Sequence, residues 1–346
     1  MYFSELSLSN FKNHKQLILT FDPNLNVIIG RNGIGKTNIL DALHLLCCCK
    51  SGFGYKDSHC ITFGMDNALV SGILNTAHKI EMIRCQLTTQ SKKMSWDNLV
   101  YPKITEHLGK ILMVLVTPED SALVREDSSK RRKWADGGLV QLFPQYLSDL
   151  LRYQRLLIQK NSHLKNTIID FALLDIYDEQ LRTIGLRMYQ QRLQFIKEVE
   201  PIILKYYLSI IKNSSESSLQ IKVQYKSDYD NILAYRQNDL RYKNATFGAH
   251  KDDFEILIQG VSAKRFSSQG QIKTIALSMK LALYNYLYQH KKQKPILLLD
   301  DIGDKLDQQR LATLIEIIST LKTQTIMTTT NKDLVNVSSS HIIQLE

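Results

Sequence analysis

Gly30-Arg31-Asn32-Gly33-Ile34-Gly35-Lys36-Thr37 fits the phosphate-cradling P-loop pattern at every required position, and its flanks supply the context that the pattern needs. An apolar run, Val27-Ile28-Ile29, precedes it and reads as a strand, while the segment from Ile39 to Leu46 reads as a helix. Glycines let successive backbone N–H groups turn inward, and a helix starting near Thr37 adds the positive end of its dipole, so the run makes an anion site. A triphosphate is its natural occupant. Lys36 is expected to reach the β and γ phosphates as a charge, and the Thr37 hydroxyl to ligate a magnesium ion bridging them. ATP and Mg2+ are therefore the expected cofactors. The alternative, a Gly-rich turn before an ordinary buried helix, is disfavoured because strand, loop and helix occur in the required order.

A second site element lies far downstream. Ile296-Leu297-Leu298-Leu299 is an apolar run ending in Asp300-Asp301, the arrangement in which a buried strand places a carboxylate beside a P-loop to hold magnesium. Asp300 takes that metal role, and Asp301 is the candidate to orient the attacking water. Taken alone, the run is also an ordinary strand ending in an acidic turn. Ser267-Ser268-Gln269-Gly270-Gln271 precedes a helix about thirty residues before Asp300; a hydroxyl, a glycine and a helix N-terminus again suit an anion. The same run is also a plain N-cap. Its order, after a helical insertion and before the acidic strand end, resembles the signature motif that ABC-type ATPases place on the γ phosphate of the opposite protomer.

The 346 residues carry 44 Lys+Arg against 34 Asp+Glu, a net charge of +10 with a pI near 9.2, which favours a polyanionic partner. The composition, 44% hydrophobic and 23% charged, is that of a soluble globular chain and argues against disorder. Met1 to Leu6 enter an alternating strand pattern with no basic-then-apolar leader, and no apolar run approaches the ~18 residues of a membrane span, so a cytoplasmic protein is expected. The five cysteines form no C-x-x-C and read as small buried apolar residues, ahead of a metal or redox role for Cys60 with His59.

Residues 3 to 9 and 17 to 21 alternate, and Ile111 to Val116 is a second continuous apolar run suited to a strand covered on both faces. From Pro118 to Ile210 the period becomes helical, with Pro201 expected to interrupt the second long helix and Asn213 to Ser218 forming the loop that leaves it. Strands resume near Leu219 to Tyr225 and Phe254 to Ile258, and a helix carries Ile275 to Leu283. The expected fold is α/β, an ABC-type P-loop ATPase head with a mixed sheet and an inserted helical arm: head 1–118, arm 119–218, head 219–346. Lys130-Arg131-Arg132-Lys133, the densest positive run, is the candidate DNA surface, weighed against a solvated charge run. Lys291, Lys292 and Lys294 read as a solvated turn.

The stretch Leu8-Ser9-Asn10-Phe11-Lys12-Asn13 with Phe21, the P-loop through Asn38, Pro118-Glu119-Asp120 followed by Lys130-Arg131-Arg132, Gly248 to Asp253, Ser268 to Gln271 and Leu298 to Asp301 together resemble the RecF family. These are SMC-like members of the ABC ATPase superfamily with a short arm. The resemblance implies ATP-dependent dimerisation, binding of double-stranded DNA near gaps, slow hydrolysis, and cooperation with RecR and RecO in loading RecA. It adds Lys12, Asn13 and Asn38 to the nucleotide set and makes Asp307 a D-loop residue facing the partner protomer. Ala249, Lys251 and Ile272 stand where proline, arginine and glutamine are usual, and Gly303-Asp304-Lys305 where a bulkier residue, serine and glutamate are expected. A P-loop kinase would not need the second anion motif, and the arm argues against a transporter subunit. A scaffold that binds ATP and barely hydrolyses it is the alternative within the same superfamily.

Overall fold

The computed structural model describes residues 1–126, 128–211, 220–227, 232–302, 306–330 and 340–345. The expected loop Asn213–Ser218 and the Gly303-Asp304-Lys305 stretch lie outside the described residues. In chain order the first elements are β1 (Tyr2–Phe11), β2 (His14–Thr20), β3 (Leu25–Ile29), α1 (Lys36–Cys48), β4 (Asn67–Asn75), β5 (Ile80–Thr88), β6 (Lys92–Trp96), β7 (Leu99–Val100) and β8 (Met113–Val116). Four helices follow: α2 (Ala122–Arg125), α3 (Ser128–Leu142), α4 (Pro144–His163) and α5 (Phe171–Ile210). Next come β9 (Ile221–Lys226), α6 (Ile232–Tyr242), β10 (Asp253–Ile258), β11 (Val261–Ser262), α7 (Ala263–Phe266) and α8 (Gln269–Lys291). The last described elements are β12 (Ile296–Leu299), α9 (Gln308–Leu321), β13 (Thr325–Thr329) and β14 (His341–Gln344).

The chain forms two compact units. One comprises Met1–Asp120, Ser209–Lys212 and Leu283–Glu346. Its strands sort into an antiparallel sheet, β2-β1-β4-β5-β6-β7, and an all-parallel sheet, β14-β3-β13-β12-β8. Strand β4 alternates buried and open positions, as expected for a sheet covered on one face, whereas β8, β12 and β13 are buried at every residue. Helix α1 touches strands of both sheets and buries Ile39, Leu40, Ala42, Leu43, Leu45 and Leu46. A helix apolar nearly all round has no other stable place. Cys47, Cys49, Cys60 and Cys85 are buried in this same core, with Cys48 packed against it.

The other unit comprises Ser121–Leu208 and Asn213–Ala282. Residues 219–282, expected in the head, group here instead because β10 pairs with β9 and β11 and lies against α3. Pro201 does not interrupt the second long helix: α5 runs unbroken for 40 residues with the proline inside it. Val199, Ile203 and Tyr207 are buried on either side, while Pro201 and Lys197, whose carbonyl loses its i+4 donor, are exposed. Packing on one face outweighs the local cost, and the orphaned carbonyl lies on the open side, within reach of water.

Candidate functional site

Parallel strands present their C-terminal ends along one edge, so the loop after β3, the acidic end of β12 and the end of β13 meet there. Gly35 caps α1 with φ 108°, and a Cβ at this position would lie 2.4 Å from His14 Nε2. Only glycine fits both the backbone and the space. The β1–β2 turn is built into the loop: Asn13 Nδ2 donates to the Ile34 carbonyl at 3.0 Å, and its Oδ1 accepts from Asn38 Nδ2 at 2.7 Å. His14 Nε2 lies 3.2 Å from the Gly35 carbonyl. Arg31, Asn32 and Gly33 are exposed at the loop tip.

Lys36 Nζ donates to the carbonyls of Gly30 and Arg31 at 2.7 and 3.1 Å, folding back over the loop it is expected to serve. Thr37 Oγ1 lies 2.9 and 3.1 Å from the two carboxylate oxygens of Asp300. Thr328 on β13, which no sequence motif singles out, is the third member. Its hydroxyl donates to Asp300 Oδ1 at 2.8 Å and accepts the Asp301 N–H at 3.0 Å. Burial pushes the Asp300 carboxyl above the usual carboxylate range, against the opposing pull of Thr328, Thr37 and Lys36. A hydroxyl and a carboxylate brought together, with a buried negative charge short of compensation, form a donor set suited to a hard divalent cation. Asp301 turns the chain after β12 with φ 47°.

Lys12 departs from its expected role. Its ammonium pairs with the buried Asp41 of α1 at 2.5 Å and sits 4.1 Å from the Tyr55 ring centroid, with its side chain only 8% exposed. Asp41 also accepts from Ser51 Oγ and Gly52 N–H, so the pair fastens the β1–β2 turn and α1 to the segment that follows α1. Asp307 is the N-cap of α9, accepting the Arg310 N–H at 2.9 Å. Lys294 Nζ donates to the Lys322 carbonyl at 2.8 Å, and Lys291 and Lys292 are exposed.

In the second unit, Ser268 and Gln271 form a reciprocal capping box at the start of α8: the Ser268 N–H donates to Gln271 Oε1 at 2.8 Å, and the Gln271 N–H to Ser268 Oγ at 3.2 Å. Ser268 and Gln269 are exposed and Gly270 half-buried, and the Ser268 hydroxyl retains its own proton as a donor. The basic tetrad is not a uniform face. Arg131 holds Asp253 through two bonds of 2.7 and 3.1 Å and donates to the Leu123 and Glu126 carbonyls, and Arg132 donates to Ser128 Oγ and the Asp252 carbonyl. Lys133 is exposed and Lys130 half-exposed. Arg131 is buried and Arg132 half-buried.

A family model described as an AAA domain matches residues 5–326. The DNA replication and repair proteins RecF of Flavobacterium johnsoniae and Lactococcus lactis subsp. cremoris are 35% and 34% identical, across 92% and 96% of this chain and 91% and 93% of theirs. The chain belongs to the RecF family. A solved RecF–ATP structure from the RecFOR pathway matches with a TM-score of 0.87 at 29% identity, covering 96% of this chain and 92% of that one. An Smc head bound to the winged-helix domain of ScpA shares the fold alone, with a TM-score of 0.54 at 14% identity. RecF membership and the Smc-head likeness agree with the ABC-type α/β fold expected from the sequence. Among the described residues, no helix is long and apolar enough to cross a membrane.

Proposed function

We propose that this RecF-family chain is an ATP-switched, double-stranded-DNA-binding protein of replication and repair, acting in the cytoplasm near single-strand gaps and cooperating with RecR and RecO in loading RecA. The observation that carries the reading is the approach of Thr37, which follows Lys36 in the chain, to Asp300, the pairing that a magnesium–triphosphate complex calls for. Magnesium, when bound, would neutralise charge developing between the β and γ phosphates. Thr37 and Asp300 would hold it. Gly30 to Thr37 would cradle the phosphates with backbone N–H groups, Lys36 would exchange its loop carbonyls for phosphate oxygens, and Asn13 and Asn38 would fix the loop. Asp301 would orient the attacking water, with Thr328 positioning its backbone.

Two chains would sandwich two ATP molecules, each site using one chain's P-loop and the other's Ser268 to Gln271, with Asp307 close to the partner. The exposure of Ser268 and Gln269 supports this assignment. Lys133 and Lys130 are the tetrad members most open to the phosphates along a duplex, and Arg132 keeps one guanidinium edge free among the described residues. A nucleotide-gated scaffold with negligible hydrolysis is the second reading, favoured by Asp301 being one methylene shorter than the glutamate usual in ABC enzymes. Sedimentation of Ser268→Arg tests the first: ATP binding by the monomer persists while the ATP-induced dimer disappears. A variant that still dimerises with ATP rules out the composite site. Single-turnover hydrolysis with and without duplex DNA separates the two readings, and Asp301→Asn is expected to bind ATP while abolishing turnover.

A further inference from the structure

The second unit contains a cavity of about 510 Å³ at the start of α3, flanked by the segment entering β10 and by α7. That volume lies within the range of small-molecule sites. Four cations line it, Arg131, Arg132, Lys251 and Lys264, against two carboxylates, Asp253 and Glu255. Both carboxylates are already engaged, Asp253 by Arg131 and Glu255 by Lys226.

Arg132 is the decisive group. Its Nη1 donates to two neutral oxygens, Ser128 Oγ and the Asp252 carbonyl, each at 2.5 Å. Its Nε–Nη2 edge makes no hydrogen bond among the described residues, and this is the edge that meets two oxygens of a phosphate at once. The Asp252 carboxylate cannot serve Arg132 fully, because it accepts from Arg192, Tyr225 and Ser227. Burial, and then the neighbouring Arg192, depress the Arg132 guanidinium below its ordinary pKa, against the opposing pull of Asp252, Asp136 and Asp253. The exposed Lys251 ammonium likewise has no partner among the described residues. His250 brings no charge: its two nitrogens face Tyr153 Oη and the Ala245 carbonyl, and burial lowers its pKa to about 4.

We infer that this cavity is a second anion site, one that takes a phosphomonoester, carried either by a free nucleoside monophosphate or by the end of a DNA strand. A monoester is close to a dianion at neutral pH and balances the excess of two cations. The inference is independent of the P-loop reading, since every lining residue belongs to the second unit.

The test uses the full chain carrying Lys36→Ala, so that the P-loop does not report. One arm compares thymidine 5′-monophosphate with thymidine by calorimetry. The other compares a short duplex bearing terminal phosphates with its hydroxyl-ended twin by fluorescence anisotropy. The phosphorylated member of at least one pair is expected to bind about tenfold more tightly, the value of one good charge-assisted hydrogen bond. A preference in the first arm alone identifies a free nucleotide, and one in the second a DNA end. Adding Lys251→Glu, at an exposed position and with an unchanged melting curve, abolishes the preference, and Lys251→Arg retains it. Equal binding within both pairs overturns the inference, as does a preference that survives Lys251→Glu.

Discussion

The P-loop and the α3 tetrad both read as functional runs in the sequence, yet they use their charges in opposite ways. Among the described residues, Lys36 holds only backbone carbonyls of its own loop, and Thr37 only the carboxylate with which it would share a metal, so both have partners that a ligand can replace. Arg131, in contrast, carries a doubly bonded carboxylate and two carbonyls and is 6% exposed. Density of positive charge along a chain does not distinguish a cation that waits for a ligand from one that holds the fold. The number of fixed oxygens around it does.

The largest effect expected of this contrast is on stability. Arg131→Ala strands Asp253 and two carbonyls at once and is expected to cost about 3 kcal/mol, read as a lower denaturation midpoint at unchanged slope. Lys133→Glu, at an exposed position, should stay within about 0.5 kcal/mol of the parent. If the two variants unfold alike, Arg131 is a surface charge after all.

Next in size is ligand affinity. Lys36→Ala should weaken ATP binding roughly a hundredfold by calorimetry, because it removes the charge that meets the β and γ phosphates, with little change in unfolding. Unchanged affinity would end the assignment of the loop.

Acid response compares one histidine in each unit, His107 fully buried and His250 half-buried. His107 in the first and His250 in the second both have pKa values lowered to about 4, in each case chiefly by burial. A histidine depressed on folding stabilises the protein above its unfolded pKa near 6.5, and that stability drains away as pH falls from there through about 4. Each site is therefore expected to forfeit on the order of 3 kcal/mol between those limits. His107→Gln should flatten the acid limb of the melting-temperature profile; an identical limb would place the titration elsewhere.

The smallest expected effect concerns DNA. Lys130→Glu combined with Lys133→Glu should lower the slope of duplex affinity against salt by about one for each phosphate no longer neutralised, alike for all sequences and without affecting ATP. An unchanged slope assigns both lysines to solvent.

The same contrast separates what is legible in the sequence from what is not. The P-loop, β12 with Asp300, and α1 are readable because their chemistry lies in contiguous residue types at fixed spacing. Thr328 is not: its hydroxyl reaches Asp300 only because β13 lies between β3 and β12, a matter of sheet order. Resemblance assigns Lys12 to nucleotide, and its burial against Asp41 depends on a turn that no local pattern announces. Within the tetrad, Arg131 is illegible for the same reason, since Asp253 lies 122 positions away in the chain. Pro201 shows the converse, a strong local signal overruled by apolar packing along one face of α5.

The parallel sheet has a consequence for how this chain is made. It takes β3 and β8 from before residue 117 and β12, β13 and β14 from after residue 295, with β3 paired directly to β13 and β14. On the ribosome, β3 emerges with neither neighbour, and closing so long a loop adds an entropic cost to an already slow non-local pairing. The nascent P-loop thus remains without Asp300, the carboxylate proposed to hold its metal, until nearly the whole chain is synthesised. During that interval the apolar edges of β3 and β8 are exposed, which makes the half-made head the stage at which chaperone protection matters most.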